Sequence, residues 1–103
     1  MGAFGLYTKF VALSGQREHL VTQLLQAAEL LEDAAGCQLY IVNTSPDDAG
    51  AVWVTELWDN ADRHGAALSL EGIPSLIQET LPLLTGPPEQ IRLVPVGGKG
   101  LEP

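Results

Sequence analysis

The chain has little cysteine and no long apolar run. Cys37 is the only cysteine among 103 residues, so no disulfide can form within the chain, and this suits a reducing compartment. No apolar stretch approaches the roughly 20 residues needed to span a bilayer. The N-terminal stretch, residues 1–6, has no basic flank and no long apolar core, so we expect no signal peptide. The sequence therefore predicts a cytoplasmic protein that does not cross a membrane.

Basic side chains and metal-ligating groups are also scarce. Five lysines and arginines stand against 13 acidic residues, for a net charge of −8. Such a charge repels phosphate backbones, so nucleic acid and anionic membranes are poor candidate partners. His19, His64 and Cys37 fall on separate predicted elements without ligand spacing. With no dinucleotide fingerprint either, the residues predict neither a cofactor nor a metal.

The residues that are present indicate one folded domain. Apolar residues make up 46% of the chain and charged residues 17%, which is too apolar for disorder. The length suits a single domain, 1–103, and we expect a short flexible tail at about 97–103.

Apolar spacing and turn residues predict seven elements in the order β-α-β-β-α-α-β. The predicted strands span 6–13, 37–43, 51–58 and 90–96, and the predicted helices span 16–35, 60–70 and 73–81. Asp59 is the expected N-cap of the second helix. This order is the ferredoxin-like split βαβ plan, an α+β fold with a four-stranded antiparallel sheet and helices on one face.

The strands are apolar on both faces, although helices can cover only one of them. A half-solvated sheet should alternate apolar and polar residues, whereas the strand at 51–58 carries apolar side chains in both directions. A bare apolar face is unusual on a monomer, so we expect a second copy to pack sheet against sheet in a two-fold dimer. The alternative is that the open face tolerates its apolar residues.

Two side chains are candidates for proton transfer. His64 lies early in the second predicted helix, where it could point over the sheet and exchange a proton, or serve only as a surface or capping residue. Glu56 shares a strand face with Val54 and Trp58. Apolar neighbours would raise its pKa, which suits a base or an acceptor, unless it forms an ion pair with Arg92 or Lys9.

Aromatic residues and one amide are candidates for ligand contact. They could line a flat pocket for an aromatic molecule or simply form core, and they are Phe10, Tyr40, Trp53 and Trp58. Asn43 ends a predicted strand, where it could bond a ligand oxygen or cap the following turn.

With these elements placed, the chain resembles the antibiotic biosynthesis monooxygenase family, some of whose members are described as quinol monooxygenases. The resemblance covers about residues 6–101. Its carriers are Ser14-Gly15-Gln16-Arg17-Glu18, Gly36-Cys37-x-x-Tyr40-x-Val42, Val52-Trp53-Val54-Thr55-Glu56-Leu57-Trp58-Asp59, His64, Leu68-Ser69-Leu70, Pro82-Leu83-Leu84-x-Gly86 and Pro95-Val96-Gly97-Gly98-x-Gly100-Leu101. Many members carry their helix histidine one turn later, where this chain has Ala67.

The resemblance implies a dimeric α/β barrel that oxygenates electron-rich aromatics without flavin, haem or metal. The deprotonated substrate would itself reduce O₂, so the protein would bind the ring, assist proton removal and exclude water. Trp58 would pack on the ring, His64 would accept a proton or hold an oxygen, and Glu56 would support them. Asn43 and Tyr40 would bond substrate oxygens.

Three functions follow as hypotheses. The first is a cofactor-independent monooxygenase acting on a quinol, an anthrone or a polyketide-like aromatic. The second is a ligand-binding dimer without catalysis, since fold does not fix function. The third is a polyketide cyclase or isomerase that uses the same pocket and a base but no O₂.

Overall fold

The structure, a computed structural model describing residues 3–101, is an antiparallel sheet with three helices. The strands are β1 (Phe4–Val11), β2 (Cys37–Ser45), β3 (Asp48–Trp58) and β4 (Glu89–Leu93), in the spatial order β2-β3-β1-β4. The helices are α1 (Arg17–Leu30), α2 (Ala61–Ala67) and α3 (Ile73–Thr80), and a 3-10 turn follows at Leu81–Leu83. The predicted ferredoxin-like α+β fold is confirmed. Positions 102–103 of the predicted tail lie outside the described residues.

The two faces of the sheet differ in burial. On β3, Val52, Val54 and Trp58 are buried beneath the helices, while the alternate residues Trp53 and Leu57 are only partly buried. Register extends this division across the sheet, because cross-strand partners share a face. The face turned away from the helices, here called the open face, carries exposed apolar side chains from three strands: Tyr7, Leu39, Ile41, Ile91 and Leu93.

The helix-facing layer is divided into two apolar clusters. One cluster consists of Phe4, Leu6, Leu31, Trp58, Ala67 and Ile73. The other consists of Ala12, Leu20, Leu24, Val52, Val54 and Leu84. Tyr40 packs against both clusters, so it connects two parts of a core that is not continuous.

The predicted ends of the first helix and the last strand are wrong. α1 ends at Leu30 rather than at 35, because the N–H groups of Glu32 and Ala34 bond carbonyls three residues back and the chain continues in tight turns. β4 ends at Leu93 rather than at 96, and Pro95 has no N–H with which to extend the ladder.

The predicted facing ends of the second and third strands and the predicted helix cap are also wrong. β2 and β3 extend to a pair between Ser45 and Asp48, so the connection is far shorter than the gap between the predicted strands at 37–43 and 51–58. Asn60, not Asp59, caps α2, and its Oδ1 accepts a hydrogen bond from the Arg63 N–H at 2.8 Å. Asp59 instead accepts a hydrogen bond from Gln38 Nε2.

Candidate functional site

A cavity of about 510 Å³ lies between the sheet and the helices. Both clusters contribute to its wall, as do residues from all three helices. Its volume falls within the roughly 300–1,000 Å³ of small-molecule sites, and its wall is mostly apolar with a few polar groups. Five predicted site residues line it: Phe10, Tyr40, Glu56, Trp58 and His64.

Glu56 and Trp58 face the cavity together because they lie two residues apart on β3. Trp58 is fully buried, and its Nε1–H donates a hydrogen bond of 3.0 Å to Glu56 Oε1. The indole has one donor, so this bond satisfies it. The carboxylate retains a second oxygen for another partner.

His64 reaches the same place from α2. The Asn60 cap fixes the first turn of the helix, and His64 lies on the next turn with Nε2 at 3.8 Å from Glu56 Oε1. This separation is longer than a hydrogen bond, so the two groups are neighbours rather than bonded partners. The imidazole packs 5.2 Å from the Phe4 ring and edge-on to Trp58 at 5.5 Å between centroids. His64 is therefore a cavity residue held by rings on two sides, and it does not cap the helix.

Burial sets the protonation of these groups. It raises the pKa of Glu56 above 4.5, and the hydrogen bond from Trp58 partly opposes this shift. Burial, and secondarily the positive charge of Arg92, holds the pKa of His64 below 6.5. Burial also raises the pKa of Tyr40, so its phenol remains protonated. At neutral pH the cavity thus presents an uncharged imidazole that can accept a proton.

Neither predicted ion pair of Glu56 forms among residues 3–101. The guanidinium of Arg92 lies 5.5 Å over the Phe4 ring, on the rim of the cavity. Lys9 lies on the open face with its ammonium 5.7 Å from the centre of the Trp53 ring. Glu56 consequently has no basic side chain to neutralise it other than the weakly basic His64.

Asn43 and Trp53 do not join the other candidate residues. They are cross-strand partners on the open face, opposite the cavity. The Asn43 side chain donates to the backbone oxygen of Trp53 and to Thr55 Oγ1, both at 3.1 Å, so it neither faces the cavity nor caps a turn. The expected aromatic pocket therefore contains Trp58, Tyr40 and Phe10 without Trp53.

The cavity also contains polar residues that sequence reasoning did not select. They are Thr8, Gln23, Thr80 and Gln90. Arg92, which the sequence suggested only as an ion-pair partner of Glu56, also lines the cavity. The sequence marks Gln23 as unusual, because it is a polar residue in the apolar stripe that Leu20 and Leu24 define on α1. It marks Thr8 in the same way, since this polar residue lies between Leu6 and Phe10 on the inward face of β1.

Two further observations concern the described residues. Within 3–101, no three His, Cys, Asp or Glu side chains converge in a group that could hold a metal ion. No helix in the same range is both long enough and apolar enough to cross a membrane.

Comparisons with known proteins agree with this architecture. The model of the family described as antibiotic biosynthesis monooxygenase matches residues 3–73. No curated protein sequence matches the chain. Among solved structures, a protein from Chloroflexus aurantiacus J-10-fl, provisionally named an antibiotic biosynthesis monooxygenase, is 37% identical with a TM-score of 0.87, and the match covers 98% of this chain and 100% of that one.

More distant structures share the fold. Rv0793 from Mycobacterium tuberculosis is 17% identical with a TM-score of 0.86, over 96% of this chain and 100% of that one. A variant of SnoaB from Streptomyces nogalater, described as a cofactor-independent oxygenase, is 12% identical with a TM-score of 0.83, over 98% of this chain and 100% of that one. The family match and the Chloroflexus aurantiacus relative carry the assignment: the chain belongs to the antibiotic biosynthesis monooxygenase family.

Proposed function

We propose that this protein is a cofactor-independent monooxygenase that oxidises an electron-rich aromatic, a quinol, an anthrone or a polyketide-like ring system, with O₂. One observation carries the proposal. The uncharged His64 imidazole lies beside the buried Glu56 and the Trp58 indole, on the wall of a largely apolar cavity of aromatic-ligand size. Membership of the family, and the activity in the description of SnoaB, support the same chemistry.

In this mechanism the substrate supplies the electrons. His64 accepts a proton from an acidic hydroxyl or ring methylene, and the resulting anion passes electrons to O₂. For an anthrone, a carbonyl oxygen replaces the two hydrogens of the methylene group, and the second oxygen atom of O₂ leaves as water. Trp58 provides a surface for the ring, and Glu56 favours the protonated imidazole during transfer. The apolar wall limits water around the anion.

We further propose that the protein works as a homodimer in the cytoplasm. The open face carries exposed apolar side chains on three strands, more than the surface of a monomer ordinarily presents. A second copy that packs its own open face against this one would cover both, as two-fold symmetry requires. The helix-side cavity would then remain as the site open to substrate.

Oxygen consumption tests the proposed reaction. The purified, chelator-treated protein is mixed with a hydroquinone or an anthrone, and O₂ uptake is compared with the spontaneous rate. We expect acceleration by the native chain and its loss in His64→Ala. Uptake at the spontaneous rate across several such aromatics would reject the oxygenase. Turnover without O₂ uptake would favour a cyclase or isomerase, and binding without turnover would favour a ligand-binding dimer.

A further inference from the structure

Two buried polar side chains in the cavity have no hydrogen-bond partner in the described part of the chain. Thr8 is 3% exposed and Gln23 is 7% exposed. Both line the cavity, and among residues 3–101 neither side chain has a hydrogen-bond partner, yet their polar atoms are not sealed away from the cavity space. Thr80 is a useful contrast, because this buried threonine of the same wall donates to the Leu76 carbonyl at 2.7 Å.

The positions of both residues favour apolar side chains. Gln23 occupies the middle of the buried stripe of α1, with Leu20 and Leu24 as its buried neighbours. Thr8 lies on the central strand β1, between Val54 of β3 and Gln90 of β4. Because their polar atoms reach the cavity space, the hydroxyl and the amide can form hydrogen bonds with a molecule that occupies the cavity.

Thr8 and Gln23 lie beside a different apolar cluster from His64. Their neighbours Val54 and Leu24 belong to the second cluster, whereas His64 packs against Phe4 and Trp58 of the first. Glu56 faces Leu6 across the β1–β3 pair, so Thr8 is its diagonal neighbour on the same sheet face. Diagonal neighbours lie about 7–8 Å apart between Cα atoms. A ring in the cavity can therefore direct one edge to His64 and Glu56 and another edge to Thr8.

We propose that Thr8 and Gln23 form a second polar contact in the cavity, which binds an oxygen on the ring edge remote from His64 and selects aromatics with oxygens at two opposite positions. The inference rests on the proposed function only for the orientation of the ring. A hydroxyl and an amide each donate and accept. They can therefore bind the hydroxyl of a reduced ligand as well as the carbonyl of an oxidised one.

Selective binding without oxygen tests this contact. The affinities of 1,4-dihydroxynaphthalene and 1-naphthol, which differ by the second hydroxyl, are measured anaerobically by calorimetry. We expect the native protein to prefer the diol by about tenfold, as one buried hydrogen bond provides. Gln23→Leu and Thr8→Val should bring the two affinities close together. The matched controls Gln26→Leu and Thr44→Val, at exposed positions of α1 and β2, should keep the preference.

The outcomes separate this inference from the proposed reaction. A preference unchanged in both cavity variants, or no preference or no binding in the native protein, would overturn it. Thermal melts identify a variant that fails to fold, and the other variant then decides. A native protein that prefers the diol but consumes no O₂ would support the polar contact while rejecting the oxygenase.

Discussion

Glu56 places a carboxyl group where charge is unfavourable. Burial raises its pKa above 4.5, so the folded state binds the proton more tightly than the unfolded state does. The contribution of Glu56 to the free energy of unfolding is therefore fully present below about pH 4.5, and it is lost as the pH rises through the folded-state pKa. Where the carboxyl is ionised in the folded state, it therefore lowers stability.

We predict that Glu56→Gln raises the free energy of unfolding at pH 7 by about 1 kcal/mol. The amide oxygen can still accept the hydrogen bond from Trp58, and no charge remains to be buried. Urea unfolding at several pH values measures the effect, and the gain should vanish where the native carboxyl is protonated. A variant less stable than the native chain at pH 7 would contradict this account.

His64 shows the opposite shift. Because burial and Arg92 lower its pKa below 6.5, the unfolded state binds the proton more readily. The stability from the neutral imidazole is present above about pH 6.5 and is lost as the pH falls through the folded-state pKa. Catalysis that needs a neutral base should decline in the same acidic range.

We predict that Arg92→Leu raises the pKa of His64, because it removes the nearby positive charge. Titration of the histidine ring by NMR measures this shift independently of activity. The acidic limb of the rate profile should move to higher pH with it. His19→Gln, at an exposed position of α1, is the control and should leave the titration of His64 in place. If His64 titrates at the same pH in Arg92→Leu as in the native chain, burial alone lowers the pKa of His64.

For single residues, position along a strand predicts which face a side chain occupies, and residue type alone does not. Trp58 and Tyr40 were correctly placed near a cavity, and the period of two along a strand would have separated Trp53 from Trp58 and Asn43 from Tyr40. Burial of His64 could not be predicted in this way. It depends on how α2 approaches the sheet, a tertiary contact that spacing along the chain does not encode.

At the scale of elements, the turn before β2 depends on one glycine. Gly36 has φ +85, and a Cβ there would lie 2.6 Å from Cγ of Arg63 on α2. Gly65, in contrast, lies within α2, and apart from its chain neighbours and the backbone of that helix no described atom lies within 4 Å of its would-be Cβ. The two glycines therefore differ in both backbone conformation and space.

We predict that Gly36→Ala and Gly65→Ala change stability in opposite directions. The first should lower the free energy of unfolding by about 1–2 kcal/mol, since alanine is strained in the left-handed region. The second should raise it by about 0.5–1 kcal/mol, since alanine is the better helix former. Chemical unfolding of both variants measures the pair. A neutral Gly36→Ala would show that this turn tolerates a side chain.

The existence and order of the elements were predictable, and several ends were not. Stripes of leucine on α1 and alternation on β3 are strong periodic signals. The early end of α1 follows from tight turns that no breaker residue marks before Gly36. The end of β4 had a local signal, because Pro95 cannot donate to a ladder.

At the scale of the whole molecule, the open face is the surface through which we propose that two copies associate. Ile91 on β4 is 48% exposed on that face, and Leu25 on α1 is 50% exposed outside it. The two side chains are similar in size and accessibility. They therefore form a matched pair for testing which surface is covered in solution.

We predict that Ile91→Lys sediments as a monomer, whereas Leu25→Lys retains the dimer of the native chain. A lysine within a packed apolar face would have to bury its charge, which disfavours association. Sedimentation velocity at micromolar concentration distinguishes the two states. A native chain that already sediments as a monomer would reject the dimer.

Alternate side chains of β3 face the cavity and the open face, so one strand contributes to both. Adding or deleting one residue between Val52 and Trp58 would turn every following side chain to the opposite face. With the change before Thr55, the indole of Trp58 and the carboxyl of Glu56 would face outward, while Thr55 and Leu57 turned inward. The proposed substrate recognition and the proposed self-association thus depend on the same alternation of side chains along β3. We therefore expect such a length change to abolish both together, whereas point substitutions can alter either one separately.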